Sequence, residues 1–316
     1  VEIQHESVMP REVLEYLEPN RRDGIFIDCT LGEGGHSARI LSNFLHIRLA
    51  AIDADEKIMA KAKQRLREHA DRTQFYNMYF DEFFADYPLE EPAHRILFDL
   101  GISVFHYAES GRGFSFLKDE ALDMRLDPHR GRPLSAVLDD IAERELMQVL
   151  FDFGEERYAR RIAAAIIAAR GEGTIESSLR LAQIVEKAVP AQYRRGRIHA
   201  ATRTFQALRI LVNGELDRIR PSLEGAFAHL EVGGRIGVIS FHSLEDRIVK
   251  HLFREYAKSC ICPPELPMCE CGGKPLGKLP VRKALQPAED EVNQNPPSRS
   301  AKFRVIEKLR DSRHTA

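Results

Sequence analysis

No apolar stretch of this 316-residue chain approaches the roughly 18 residues that a membrane-spanning helix requires, so a membrane-spanning protein is not expected. Cysteine is scarce. Cys29, Cys260, Cys262, Cys269 and Cys271 are too few for a disulfide framework, and a reducing cytoplasm is the default. The opening Val1-Glu-Ile-Gln-His-Glu6 has neither a basic flank nor an apolar core, so no secretory leader is expected. A charge excess is missing too: the formal net charge of −2 argues against a globally basic nucleic-acid coat but leaves room for a local basic face. No Ser or Cys sits in a nucleophile-elbow pattern, which leaves covalent catalysis poorly supported. The length allows one large or two medium domains with ample core.

What is present centres on Ile25-Phe-Ile-Asp-Cys-Thr-Leu-Gly-Glu-Gly-Gly-His36. An apolar run ends in Asp28, a turn holds Gly32, Gly34 and Gly35, and Ser37 to Leu45 reads as a helix. Strand, glycine turn and helix N-terminus build a nucleotide-sized pocket at the carboxyl end of an α/β sheet. Ser37 stands where a dinucleotide fingerprint would have its third glycine. A second apolar run, Leu49 to Asp53, ends in an acid near the offset of a ribose-binding carboxylate. Together they indicate a nucleoside ligand and leave dinucleotide and S-adenosylmethionine both open.

The chain alternates strands and helices up to Arg95-Ile-Leu-Phe-Asp99, another strand ending in an acid, with a short strand expected over Gln74–Met78. Between about 104 and 205 no strand is expected, and helices are predicted over Glu155–Arg170 and Leu179–Val189, the first carrying Arg157, Arg160 and Arg161. The α/β pattern resumes with a helix over Leu208–Leu230, a turn at Gly233-Gly234 and a strand over Arg235–Ser240. Ser243 with Asp246 is expected to cap the next helix, and Lys302–Glu307 to add an antiparallel edge strand. Residues 1–103 and 206–316 would thus form one discontinuous α/β domain, interrupted by a helical insertion over 104–205.

Asp99 can point into the ligand crevice, where an acid would accept hydrogen bonds from an amino group. His242, just past a strand end, could serve as a base, a phosphate contact or a structural histidine. The stretch Tyr193–Arg209 carries Arg194, Arg195, Arg197, His199, Arg203 and Arg209 interleaved with Tyr193, Phe205 and Gln206. That mixture suggests a surface for phosphates and bases. Cys260-x-Cys262 and Cys269-x-Cys271 could hold a tetrahedral zinc, although the gap within each pair is tighter than usual; the alternative is a reduced loop.

Several segments taken in order resemble one family. They are His5–Val8, Asp28–Ser37, Ala51–Asp55, Asp99–Ser103, Arg112–Phe116, Leu122–Arg125, Phe153–Arg157, Ala201–Arg209 and Ile239–Arg247. The set is similar to the bacterial small-subunit ribosomal RNA N4-cytidine methyltransferases, the MraW or RsmH family, over nearly the whole chain. The resemblance implies an α/β fold of the class I S-adenosylmethionine-dependent methyltransferase type (a Rossmann-like sheet), with an inserted helical domain for substrate recognition. It implies S-adenosylmethionine as donor and, as acceptor, the exocyclic amine of a cytidine in the decoding region of 16S rRNA. It also implies cofactor contacts at Gly34, Gly35, His36, Asp53, Phe80 and Asp99. A family glutamine counted among those contacts is His106 here, Ala108 replaces an acid, and Ala200 replaces a proline.

Transfer to an exocyclic amine is a direct in-line displacement, so no thiolate nucleophile is needed. Asp99 is the leading acceptor for the amine, with Ser103 as helper, and Arg194, Arg195, Arg197, His199, Arg203 and His242 are the expected RNA contacts. The expected partner is 16S rRNA within the small ribosomal subunit, with no membrane involved; a homodimer is one assembly left open. The rivals are a nicotinamide-dependent oxidoreductase, a non-catalytic RNA-binding protein and a DNA amino-methyltransferase.

Overall fold

The computed structural model describes residues 6–19, 23–196, 198–260, 262, 266–268, 270 and 273–311. The chain divides into two compact units, Val1–Gly101 with Leu216–Ala316, and Ile102–Glu215.

The first unit is built on a seven-stranded sheet. Its strands are β1 (Gly24–Asp28), β2 (Ile47–Asp53), β3 (Thr73–Asn77), β4 (Ala93–Asp99), β5 (Leu230–Ser240), β6 (Gly277–Lys278) and β7 (Lys302–Lys308). The spatial order is β3-β2-β1-β4-β5-β7-β6. The first five pair in parallel, whereas β7 runs antiparallel to both β5 and β6. Parallel strands covered on both faces read as continuous apolar runs, and that is how β1 and β4 read.

Alternate residues go to opposite faces. Ile25, Ile27, Ile96 and Phe98 pack with Phe83, Leu223 and Val249 on one side. Phe26 and Leu97 pack with Leu17, Ile40 and Ala62 on the other.

Three local expectations are corrected. Gly233-Gly234 does not end a turn: β5 begins at Leu230 and runs through the pair, where its register against β4 shifts between Ala93 and Arg95. Gly233 takes φ 85°, which an irregular strand can accommodate only at glycine. The strand β7 is not the edge, because β6 pairs outside it. The helix Ser243–Ala257 is capped by His242 and Glu245 rather than by Ser243 and Asp246. Asp246 is drawn instead to β7, where Arg304 and Lys302 bind its carboxylate at 2.6 and 3.3 Å.

The second unit is helical. Helices Glu143–Gly154, Ala159–Arg170, Ser178–Ala188 and Thr202–Asn213 enclose a core of Leu146, Leu150, Ile162, Ile166, Leu181 and Leu208. The helix expected from Glu155 begins at Ala159, since Glu155 adopts φ 46° and closes the preceding helix. The helix Thr202–Asn213 packs Phe205, Ala207 and Leu208 into this core, and Gly214 ends it at φ 60°. The unit therefore extends ten residues past the expected boundary at 205, to Glu215. No helix among the described residues is long and apolar enough to cross a membrane.

Lys308 ties the first unit together. Its side chain is fully buried, and Nζ donates to the carbonyls of Phe227, Ala228 and Leu230 at 2.9, 3.1 and 2.7 Å. The first two are orphan carbonyls at the end of the helix Glu215–Ala228, where the helix dipole also favours a cation, and the third is at the start of β5. Lys308→Met is expected to lose about 3 kcal/mol of stability by leaving buried acceptors unpaired, measured by denaturant unfolding.

A pH effect follows from the antiparallel corner. Burial alone pushes the carboxyls of Asp246 and Glu307 up, but Arg304 and Lys302 beside the first and Lys278 and Arg235 beside the second outweigh it and hold both below their ordinary values. Groups with depressed pKa stabilise the fold above the unfolded value, and that contribution is lost as pH falls below it. Stability should therefore decline below about pH 4, and Asp246→Asn should flatten the decline in acid unfolding curves.

Candidate functional site

Strand order reverses at β1, which has β2 on one side and β4 on the other. In open α/β sheets such a switch point leaves a crevice beyond the carboxyl ends. Three acids, Asp28, Asp53 and Asp99, stand at the ends of β1, β2 and β4.

Asp28 is turned inward. It is fully buried, accepts the Ser37 hydroxyl at 2.6 Å and the Thr30 N–H at 3.3 Å, and so anchors the helix Gly35–Asn43 to β1. Burial pushes its pKa up, against the opposing hydrogen bond from Ser37. The neighbouring Cys29 is equally buried. Desolvation, followed by the charge of Asp28, pushes its thiol well above the ordinary range, so it stays protonated and is not a nucleophile.

Asp53 holds the glycine turn. One carboxylate oxygen accepts the Gly32 N–H at 2.8 Å and the other the Asp55 N–H at 2.9 Å. Gly32 and Gly34 take φ 52° and 77°, so the turn needs residues without a Cβ. Gly35 is small for another reason: a Cβ there would lie 2.2 Å from the Ser7 hydroxyl. The helix that follows has Gly34 as its N-cap and no side-chain cap, so no cap side chain competes for its first N–H groups.

Asp99 is half-buried, with its side chain 23% exposed. Its N–H donates to the Thr30 hydroxyl at 2.7 Å, which joins the ends of β1 and β4. Its Oδ2 lies 3.5 Å from Nε2 of the buried His36, and its Oδ1 is buried with no hydrogen-bond partner among the described residues. Both His36 ring nitrogens likewise lack a hydrogen-bond partner. Phe80 starts the helix Phe80–Asp86 and meets Phe98 edge-on, centroids 5.6 Å apart. That loop is clamped by Arg218, which holds Asp81 through one nitrogen at 2.7 Å from both oxygens and covers the Tyr79 ring at 3.8 Å. Thr30, Ser37 and Arg218 were not expected as supports; Thr30 and Ser37 lie within the glycine motif itself, whereas Arg218 carries no local signal.

Ser103 and His106 belong to the second unit, and His242 follows the end of β5 in the first. The Ser103 hydroxyl caps the helix Val104–Ala108 by accepting the Phe105 N–H at 3.2 Å. His106 is buried between Phe105 and Phe114, edge-on to both. His242 serves as the helix cap described above, its Nε2 3.0 Å from Glu245.

In the basic stretch, Arg194 and Arg195 are exposed, whereas Arg203 donates to the Glu155 carbonyl at 2.5 Å. The His199 ring stacks on Phe116 at 4.3 Å and pairs with Glu186 at 2.9 Å. Tyr193, Phe205 and Gln206, expected on the contact surface, face their own unit: Phe205 is in the core, Tyr193 donates to Glu156 and Gln206 to the Phe153 carbonyl. Arg209 is buried in a bidentate pair with Glu215, 2.9 Å at each contact. Of the cysteine cluster, Cys260 is exposed and the Cys262 sulfur accepts the Glu270 N–H at 3.3 Å. Arg197, Cys269, Cys271 and His5 lie outside the described residues.

A parallel sheet with this order and an antiparallel seventh strand, bearing a glycine turn and strand-end acids at its switch point, defines a Rossmann-like methyltransferase fold. The description "MraW methylase family" belongs to the family model that matches residues 2–309. A ribosomal RNA small subunit methyltransferase H of Treponema denticola is 48% identical over 306 residues, covering 96% of this chain and 97% of the relative. One of Pelobacter propionicus is 43% identical over 310 residues, covering 97% and 99%. Among solved structures, an rRNA methylase from Streptococcus thermophilus is similar at 13% identity and a TM-score of 0.40, covering 95% of this chain and 94% of that one, a likeness too loose to bear on function. The chain belongs to the MraW methylase family.

Asp53→Ala is expected to cost about 2 kcal/mol, because the Gly32 and Asp55 N–H groups lose their acceptor; denaturant unfolding measures it.

Proposed function

We propose that this chain transfers the methyl group of S-adenosylmethionine to the exocyclic N4 amine of a cytidine in the decoding region of 16S ribosomal RNA, with the RNA presented in the small ribosomal subunit. Family membership supports the reaction class, the similar ribosomal RNA small subunit methyltransferases support that RNA as substrate, and the ordered motifs support the N4 amine. One structural observation carries the reading: Asp99 Oδ1 is buried at the switch point with no donor among the described residues. Buried acceptors are almost always paired, and an amine N–H is the group that would satisfy this one.

The residues present fit the donor. Gly34, Gly35, His36, Asp53, Phe80 and Asp99 would hold it: the helix after the turn starts without a side-chain cap, and both His36 and Asp99 have unsatisfied polar atoms. When bound, S-adenosylmethionine would supply an electrophilic methyl on a sulfonium, whose bond to sulfur breaks with the electron pair left on a neutral thioether. The cytosine amine is a weak nucleophile because its lone pair is delocalised into the ring. The chain must therefore orient the amine and receive its proton. Asp99 accepts a hydrogen bond from the N4 amine, and its carboxylate takes the proton as the new N–C bond forms. No enzyme nucleophile is involved, consistent with the buried and protonated Cys29. A cytidine within a duplex has to be flipped out first. Arg194 and Arg195, exposed and not engaged by their own unit, contact the RNA.

Labelled methyl transfer to unmethylated small subunits, free ribosomal RNA and DNA, followed by nucleoside analysis, tests the reading. N4-methylcytidine from the subunit or its RNA is the expected product; label on another base or on DNA overturns the substrate, and no transfer overturns the activity. Asp99→Ala is expected to lower the transfer rate at saturating donor by about 100-fold or more, read in the same assay.

A further inference from the structure

Several arginines of the second unit are committed to its own structure. Arg112 donates to the carbonyls of Arg125 and Leu126, Arg170 to those of Leu138 and Ile141, and Arg203 to that of Glu155, while Arg125 and Arg209 pair with Asp123 and Glu215. Arg157, Arg160, Arg161, Arg194 and Arg195 behave differently. All five are exposed, and none forms a hydrogen bond or ion pair with a described residue.

They are not scattered. Tyr158 and Tyr193 meet edge-on with centroids 4.9 Å apart, and this contact brings the start of the helix Ala159–Arg170 beside the short helix Ala191–Arg194. Both tyrosines are anchored on one acid: Glu156 accepts the Tyr158 N–H at 2.8 Å and the Tyr193 hydroxyl at 2.9 Å. Glu156 is itself buried, so its charge is turned away from the surface that the arginines share. On the helix Ala159–Arg170 the inward positions are Ala159, Ile162, Ala163 and Ile166, which leaves Arg160 and Arg161 on the outer side, within one turn of Tyr158. Arg157 lies near enough to the Tyr193 hydroxyl to act on it electrostatically.

Five exposed guanidinium groups on two adjoining segments, none in an ion pair with a described residue, are suited to a polyanion. The chain's overall charge of −2 shows that this density is local, not a property of the whole surface. Guanidinium forks match phosphate oxygens and carry no base preference.

We infer that Arg157, Arg160, Arg161, Arg194 and Arg195 form one phosphate-binding surface that grips the sugar-phosphate backbone of RNA and adds affinity without sequence readout. The inference rests on the RNA substrate proposed above and extends it to three arginines that the basic stretch at 193–209 does not include.

The test measures the affinity of the full chain for unmethylated small-subunit ribosomal RNA across a salt series, together with methyl transfer. Two double variants, Arg160→Gln/Arg161→Gln and Arg194→Gln/Arg195→Gln, are compared with the exposed control Arg67→Gln/Arg254→Gln from the first unit. All six side chains are exposed, so folding is expected to be preserved and is checked by thermal unfolding. Each patch variant should bind about tenfold more weakly and reduce the slope of log affinity against log salt by about 1.4, two single-strand phosphate contacts. KM for RNA should rise while kcat at saturating RNA stays unchanged. Unchanged affinity and slope in both patch variants, or an equal loss in the control, overturns the inference. So does equal affinity of the wild type for polyglutamate, which would make the surface a site for acidic protein. If the wild type moves no methyl group to RNA while the patch variants still lose RNA affinity and slope, the activity falls and the surface stands.

Discussion

The hydrogen bond from the Gly32 N–H to the Asp53 carboxylate holds the centre of this protein in place. It joins the turn after β1 to the end of β2, and with the Asp55 N–H on its other oxygen it fixes where the strand stops. Asp28 makes the corresponding link through Ser37 to the helix that follows, and Thr30 links β1 to Asp99 on β4. Acids at the ends of β1 and β2 and the hydroxyl of Thr30 thus brace one glycine turn from three directions. A turn with two residues at positive φ is fixed by these ties together with the packing of Leu31 into the core.

The same network sorts three similar acids into different tasks. Asp28 is buried and occupied by its own helix, Asp53 is partly occupied by backbone, and Asp99 retains a buried oxygen without a donor. Each sits at a strand terminus, yet only the surroundings separate a structural carboxylate from one able to receive an amine. Burial likewise removes Cys29 from nucleophilic chemistry although it stands between Asp28 and Thr30.

In the helical unit, interior and surface were harder to tell apart. Phe205 and Arg209 lie in the basic stretch, yet Phe205 belongs to the core and Arg209 to a bidentate pair with Glu215. A short basic segment with aromatic residues has the same composition whether its arginines face solvent or serve as internal struts. The helical period separates them only once the helix Thr202–Asn213 is known to pack through Phe205, Ala207 and Leu208, which also explains why the unit runs to Glu215. The cap of the helix Ser243–Ala257 shows the same limit. Ser243 with Asp246 is a sound local pairing, but Arg304 and Lys302, distant in sequence, claim Asp246 and leave the cap to His242 and Glu245.

By itself the sequence determined the strands that end in Asp28, Asp53 and Asp99 and the glycine turn. Each is written in contiguous residues, through apolar runs and backbone freedom. Tertiary structure alone decided which acid keeps an open oxygen, which arginines are spent internally, where Lys308 finds its carbonyls and how Tyr158 and Tyr193 gather the uncompensated arginines. Those outcomes depend on partners tens to hundreds of residues away. Desolvation and hydrogen bonding act on whichever groups the fold brings together, and chain neighbours alone do not specify them.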